Sequence, residues 1–427
     1  MSLLAEAQPP AMWSIGPPRL FAGTDGGHHV TWAEHEALHG PRARLSRAAL
    51  VAAVTSVGLL GRGGAAFPVA RKLASLPRRV HAVVVNGSES EPLSHKDRTL
   101  LRKAPHLVLD GALVVAEAAR ARLVVISVHD RVALESVTRA VSERPDAGRV
   151  YLDHRPGHRF VSGEARAVLR AASGGPAVPP GRRTLPSDAG LDNRPTFLSN
   201  VETFAQLGLL ARHGPARYAE RGCVDEPGTS LLTLSGTVAR PGVVEIPNGI
   251  PSGVLADVAG VDPDAALLVG GYHGLWMPAR SSLAISRPAL AERGLTLGAG
   301  VIAAISADTC PLGEVAHVAR WLAAQSAGQC GPCVFGLPAI TRDLDRLVDG
   351  DRAGLTDVRR HLGLVKGRGA CAHPDGVSRL TASTLDRFPE DVQMHLDRGS
   401  CGRPVQRQLG VDASRNRPTH ASSARPS

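Results

Sequence analysis

Cysteines at chelating spacing and a glycine-dense loop are the residues best suited to chemistry in this sequence. Gly328-Gln-Cys330-Gly-Pro-Cys333 places two sulfurs on one tight turn. Cys371 follows in a second glycine-rich turn, Gly367-Arg-Gly-Ala-Cys371. A Cys-x-x-Cys pair can chelate, and N–H groups of a helix starting there stabilise thiolates. Cysteines on two such turns read as part of a metal site. A redox dithiol and buried inert thiols are the alternatives. Zinc needs a fourth Cys or His, and a 4Fe–4S cluster is normally held by four cysteines.

The glycine loop is Gly58-Leu-Leu-Gly-Arg-Gly-Gly-Ala-Ala-Phe67-Pro68, opening into Val69-Ala-Arg71-Lys72-Leu73. Without Cβ atoms, backbone N–H groups can press against a phosphate. A helix start adds partial positive charge, and Arg62, Arg71 and Lys72 add full charges. A tight turn between two helices is the competing reading. His81-Ala-Val-Val-Val85 reads as a buried strand. It runs into Asn86-Gly-Ser-Glu89-Ser-Glu91-Pro-Leu-Ser-His-Lys96-Asp97-Arg98. Ligands of doubly wound sheets bind beyond the carboxyl ends of strands. A loop with two carboxylates there, near a glycine loop, fits a nucleotide or flavin pocket.

These segments need a scaffold. The pattern predicts helices over Ser46–Val57, Pro105–Arg120, Val132–Val141, Val161–Ala172 and Asn200–Arg212. It predicts strands at Arg122–Val128 and Val150–Leu152. This alternation is that of an α/β layer with parallel strands. From Gly228 come strands Ser230–Ser235, Gly242–Ile246, Ala266–Val269 and Gly300–Ala304, with a helix at Ser252–Ala259, which together make a small α+β unit. From Cys310 to Leu396 the pattern is helical. The expected organisation is an extended arm over 1–44, an α/β domain over 45–225, an α+β domain over 226–306, a helical domain over 307–400 and a disordered basic tail over 401–427.

The net charge of +10 invites a nucleic-acid reading. Against it, only four of 49 basic residues are Lys, and aromatics are 3% of the chain. That leaves little for base stacking. No apolar run approaches a membrane span. Met1 to Leu20 lacks the basic-then-apolar order of a secretory signal. The chain reads as cytoplasmic, or peripheral at the inner face of the membrane through a partner. In that setting its six cysteines are thiols or metal ligands rather than disulfides.

From about Val57 to Leu396 the chain resembles the NADH-binding flavoprotein (51 kDa) subunit of respiratory complex I and the related diaphorase subunits of soluble hydrogenases and formate dehydrogenases. The resemblance rests on Gly61-Arg-Gly-Gly-Ala-Ala-Phe-Pro68 with Lys72, the Asn86–Arg98 loop and Ser162-Gly163-Glu164. It continues through Pro195-Thr196 with Asn200-Val-Glu-Thr203, and Gln329-Cys-Gly-Pro-Cys333 with Cys371. The Asn86–Pro92 loop is closer to the C subunit of the membrane-bound Rnf complex.

The resemblance implies a Rossmann-like FMN/NADH domain, a β-grasp (SLBB-like) domain and a helical bundle carrying a 4Fe–4S cluster. It implies NAD(P)H as electron donor and a ferredoxin-like, other electron-transfer or membrane-bound reductase partner. Gly61, Arg62, Gly63, Gly64 and Lys72 would hold the FMN phosphate region, and Asn86 and Asn200 the flavin. Phe67 would stack on the nicotinamide nucleotide, with Glu91, Gly163 and Glu164 orienting it. Glu89 would lie near the isoalloxazine, and Glu89 and Glu91 are the implied catalytic carboxylates. Cys330, Cys333 and Cys371 would hold the cluster, with Cys401, His373 or an external group as fourth ligand. Taken singly, the three glutamates also read as loop carboxylates, Phe67 as core, and the asparagines as caps. The chain departs from the family pattern at Ala66, Ser88, Leu93, Ala165, Ser199 and Ala327.

Overall fold

The computed structural model describes residues 10–24, 29–155, 159–181 and 184–410. The remainder of the expected tail, 411–427, lies outside the described residues. No helix among those described is long and apolar enough to cross a membrane.

The expected arm is not simply extended. Strand β1 (Met12–Ser14) pairs in parallel with a distant strand, Met12 opposite Val243. Helix α1 (Trp32–His39) starts at a capping box, Thr31 and Glu34 each satisfying the other's backbone N–H. Helix α2 (Arg47–Ser56) is capped by Ser46, whose Oγ accepts from Ala49 N–H at 3.2 Å. After the glycine loop comes α3 (Val69–Ala74).

A parallel α/β layer follows: β2 (Ala82–Gly87), α4 (Lys96–Lys103), α5 (Pro105–Ala118), β3 (Leu123–Val128), α6 (Arg131–Ser142), β4 (Val150–His154), α7 (Ala165–Ala172), β5 (Thr196–Asn200) and α8 (Val201–Tyr218). The strand order is β4-β3-β2-β5, and every neighbouring pair is parallel. The apolar run of β2 is buried on both faces. Val83 and Val85 join the core with α5, while Ala82 and Val84 pack with Val168 and Leu169 of α7. Alternate strand residues point to opposite faces, which is why an unbroken apolar run is needed here. Helix α8 outlasts the expected end near Arg212. It breaks at Gly214, φ +72°, before Pro215, and resumes to Tyr218.

The second layer is β6 (Thr229–Gly236), β7 (Gly242–Pro247), β8 (Ile250–Pro251), α9 (Ser252–Ala259), β9 (Ala266–Val269), β10 (Leu275–Pro278), β11 (Ala284–Ile285), α10 (Arg287–Glu292) and β12 (Val301–Ile305). Its six-stranded sheet runs β1-β7-β6-β12-β9-β10, mixing parallel and antiparallel pairs. The last layer is helical: α11 (Pro311–Ala324), α12 (Leu337–Val348), α13 (Arg352–Val365), α14 (His373–Arg387) and α15 (Pro389–Arg398). Its leucines and valines share one core with the inner face of the second sheet.

Residues 401–410 correct the expectation of a disordered tail. They form a strap: Pro404 O accepts from Cys310 N–H at 2.9 Å, and Leu409 is 1% exposed. One buried apolar anchor, Leu409, holds the segment, while Val405 lies against Gly313 but stays exposed.

Candidate functional site

Strand order reverses at β2, with β3 and β4 on one side and β5 on the other. Loops leaving such adjacent strands diverge and open a crevice. Asn86 and Asn200 face each other in register at this point, near the ends of β2 and β5. The glycine loop lies against the same place. A Cβ on Gly63 would come no nearer than 3.5 Å to Asn200 Cβ, and one on Gly64 would meet nothing within 4 Å. Neither residue has a positive φ. The turn itself therefore does not require glycine there; bare backbone facing open room is what the residues provide. Ala66, at the usual glycine position, has φ +46°, which costs an L-residue about 1 kcal/mol.

Lys72 projects from α3 onto β5, and its ammonium donates to Leu198 O. Its charge has no carboxylate partner among the described residues. Burial alone pulls its pKa down to about 8. A cation so placed beside glycines is suited to an anionic group.

Two expected cofactor contacts are turned inward instead. Arg62 is 1% exposed, with Nη1 2.5 Å from Glu226 Oε1 and Nε 3.7 Å from Glu202 Oε1. Its N–H donates to Thr203 Oγ1 at 2.8 Å. The guanidinium is thus consumed by carboxylates, and its phosphate role is corrected to bracing the loop. Glu89 accepts from Ser94 Oγ at 2.6 Å, Asp97 N–H at 3.0 Å and Arg98 Nε at 2.9 Å. Burial pushes its pKa up, but Arg98 and these donors outweigh that and bring it to about 2. A carboxylate so occupied positions the loop rather than moving protons.

The charges around Arg62 form a balanced buried group. Lys96 lies 2.8 Å from Asp97 and 3.0 Å from Glu202, and Arg287 lies 2.5 Å from Glu226. It ties the loop after β2, α8 and the second sheet layer together. Glu226 and Arg287 carried no local signal in the sequence, because their partners are far away along the chain.

Other expected residues stay near the crevice. Asn86 Nδ2 donates to Gly163 O at 3.0 Å, and Asn86 Oδ1 accepts from Ser88 N–H at 3.0 Å. Asn200 caps α8 through Thr203 N–H and donates to Asp97. Glu164 caps α7 by accepting from Arg166 and Ala167 N–H. Gly163 is sterically required: a Cβ would sit 2.3 Å from Ser90 Oγ. Gly61 closes its turn with an N–H to Phe67 O at 3.0 Å. Phe67 is 48% exposed, so it is not core, and Arg71 lies over its ring at 5.6 Å. Glu91 is buried. It accepts from Tyr272 N–H at 2.9 Å, while its Oε1 has no hydrogen-bond partner among the described residues, and burial raises its pKa to about 7.

Cys330 bears on the thiols of both Cys333 and Cys371. Burial, then Cys330, pushes Cys333 up to about 12, and burial raises Cys371, with Glu164 and Cys330 adding to it. Among the described residues these three sulfurs do not all lie within 4.8 Å of one another, as ligands of a single ion would; a cluster, whose irons each take one thiolate, does not require it. A π-helical turn, Pro332–Gly336, carries Cys333 into α12. Neither named candidate for the fourth ligand joins them. His373 is spent on Leu322 O at 2.9 Å and His273 at 3.2 Å. Cys401 lies with Cys310 and His395.

The two candidate centres adjoin. Asn86 bonds Gly163 O, the next residue Glu164 acts on Cys371, and Arg159 Nη1 donates to Ser326 O at 3.0 Å in the cysteine turn.

Residues 54–208 match the family described as the Nuo51 FMN-binding domain, and residues 314–395 match the NADH-ubiquinone oxidoreductase-F iron-sulfur binding region. The chain is 29% identical to the F subunit of NADH-quinone oxidoreductase from Streptomyces coelicolor over 406 residues, 87% of this chain and 88% of that relative. It is 28% identical to the corresponding Escherichia coli protein over 383 residues, 82% of this chain and 84% of that one. Among solved structures it resembles the NAD+-reducing NiFe hydrogenase in its air-oxidized state, with TM-score 0.80 and 26% identity. That match covers 94% of this chain and 70% of that one.

Proposed function

We propose that this chain, which belongs to the family of NADH-binding flavoproteins of complex I and related diaphorases, passes electrons from NAD(P)H through FMN and an iron–sulfur centre to a ferredoxin-like or membrane-bound acceptor. The observation that carries the reading is the bare backbone of Gly63 and Gly64 beside Asn200, with the ammonium of Lys72, which has no carboxylate partner among the described residues, reaching the same strand from α3. Family resemblance and the names of the relatives support it. The mixed six-stranded layer would be the β-grasp (SLBB-like) domain, and α11–α15 the bundle that carries the iron.

Lys72 and the N–H groups of the glycine loop would hold the FMN phosphate. Asn86 and Asn200 would fix the edge of the ring system at the strand ends, and Phe67 would cover the nicotinamide. FMN, when bound, supplies the exchange between two-electron and one-electron transfer. Glu91, poised near neutrality, can hold or release a proton at its unpartnered Oε1. Cys330, Cys333 and Cys371 would hold iron on the far side of the Gly163–Glu164 segment. Val334 and Phe335, exposed beside Cys333, offer an apolar surface to an acceptor.

The test is anaerobic reconstitution of the full chain with FMN, iron and sulfide, followed by NADH and NADPH titration. Bleaching of the flavin absorption band is expected. A second reading is a non-catalytic iron–sulfur adaptor of the same fold, favoured by the internal commitment of Glu89 and Arg62. It is distinguished by retained iron and sulfide with no nicotinamide-driven bleaching. Failure to retain either FMN or iron overturns both.

A further inference from the structure

Away from these centres, a second set of metal-type ligands converges at the start of α11. Cys310 is the N-cap of that helix, His395 lies on α15, and Cys401 opens the strap. Their ligand atoms all lie within 4.8 Å of one another. His395 Nε2 is 3.3 Å from Cys310 Sγ. Zinc bond lengths and a tetrahedral angle place a thiolate and an imidazole nitrogen roughly 3.5 Å apart. The other ring nitrogen, Nδ1, lies 2.6 Å from Val348 O. A carbonyl only accepts, so Nδ1 carries a proton and Nε2 is the nitrogen placed to ligate. A backbone carbonyl orients metal-ligating histidines in the same way. Burial pushes the Cys310 thiol up to about 11; the Gly313 N–H, which Cys310 Sγ accepts at 3.3 Å, pulls the other way, and a bound cation would do so further.

We propose that Cys310, His395 and Cys401 bind a zinc ion, independently of Cys330, Cys333 and Cys371. Two thiolates and an imidazole are a borderline-soft donor set suited to zinc rather than to magnesium or calcium. Cys310 and His395 are buried and Cys401 is part-exposed, so the fourth corner opens to water. Each thiol gives up its proton to solvent as its zinc–sulfur bond forms.

The site fastens the strap. Thr309 Oγ1 and Cys310 N–H both donate to Pro404 O, at 3.2 and 2.9 Å. Further along, Leu409 O accepts from the Tyr272 hydroxyl, and Tyr272 N–H is the donor to Glu91. Zinc would therefore fix the segment that bonds Tyr272, the backbone donor to Glu91.

The test compares the full chain with its Cys401→Ser variant, purified anaerobically under reductant. The wild type should retain zinc through gel filtration, also when Cys330, Cys333 and Cys371 are replaced by Ser. Cobalt(II) in that background should show thiolate charge-transfer and tetrahedral visible bands. Cys401→Ser should lose zinc affinity by more than the ~10–100-fold that orienting partners are worth. A chelator should lower the thermal midpoint of the wild type toward that of Cys401→Ser and leave the variant's unchanged; this comparison needs no other substitution. Equal zinc in both proteins or an equal chelator response overturns the proposal.

Discussion

Asn86 and Asn200 sit side by side in register on two adjacent parallel strands, at the point where the strand order reverses. Everything assigned to the cofactor is arranged around that pair. The glycine loop lies against Asn200, Lys72 reaches the carbonyl two residues before it, and Asn86 holds the segment leading to the cysteines.

The glycine cradle is testable by filling it. A Cβ on Gly64 meets no atom of the described residues within 4 Å. Gly64→Ala should leave the urea midpoint within about 0.5 kcal/mol of wild type. FMN affinity, measured by fluorescence quenching, should fall at least tenfold. An unchanged affinity would remove the phosphate from this loop.

Lys72 gives that affinity a pH dependence. Its pKa is lowered by burial to about 8, so it is charged below that pH and neutral above it. FMN binding should be steady below pH 8 and weaken by up to about tenfold between pH 8 and 9, with proton uptake on binding. Lys72→Met should bind weakly throughout and lose the slope.

Glu91 makes stability depend on pH. Burial raises its pKa from 4.5 to about 7. Between those values the folded chain holds a proton that the unfolded chain releases. Its contribution is therefore full below about 4.5 and is lost as pH rises through 7. Glu91→Gln should remove this slope and stabilise the protein at pH 8 relative to wild type, by on the order of 2 kcal/mol. Difference unfolding curves at pH 5 and 8 measure it; a constant difference refutes the assignment.

Arg62 should act on folding. Arg62→Met leaves Glu226 with Arg287 alone and Glu202 with Lys96 alone. Breaking a buried ion group by removing one member costs about 3–5 kcal/mol, read as a lower urea midpoint. Stability near that of wild type, with FMN affinity lost, would restore the phosphate role.

The cysteine turn lacks a ligand at Ala327. Ala327→Cys should raise iron and sulfide per chain toward the content of a cluster held by four cysteines, and slow its loss in air. Cys333→Ser should lower both. Iron content indifferent to both changes would place the iron elsewhere.

The sequence by itself determined the parallel α/β layer and the helical end. Those depend on short-range signals: apolar runs such as Ala82–Val85, caps such as Ser46 and Asn200, and breaks at Gly and Pro. It also determined which segments could hold phosphate and metal, because glycine and cysteine spacing constrain the backbone locally. The capping box at Thr31 and Glu34 was equally local, yet it lay in a stretch read as an extended arm. Tertiary structure alone decided which way charged side chains turn. Arg62 and Glu89 match a binding motif, but their partners at Glu226 and Arg98 take them inward. For Arg62 the deciding partner is remote in sequence, and a buried guanidinium must find a carboxylate whatever its motif suggests. The same holds for Cys401. Its spacing allowed it to complete the first cysteine group, but the strap's hold at Pro404 and Leu409 carries it to Cys310 and His395 instead.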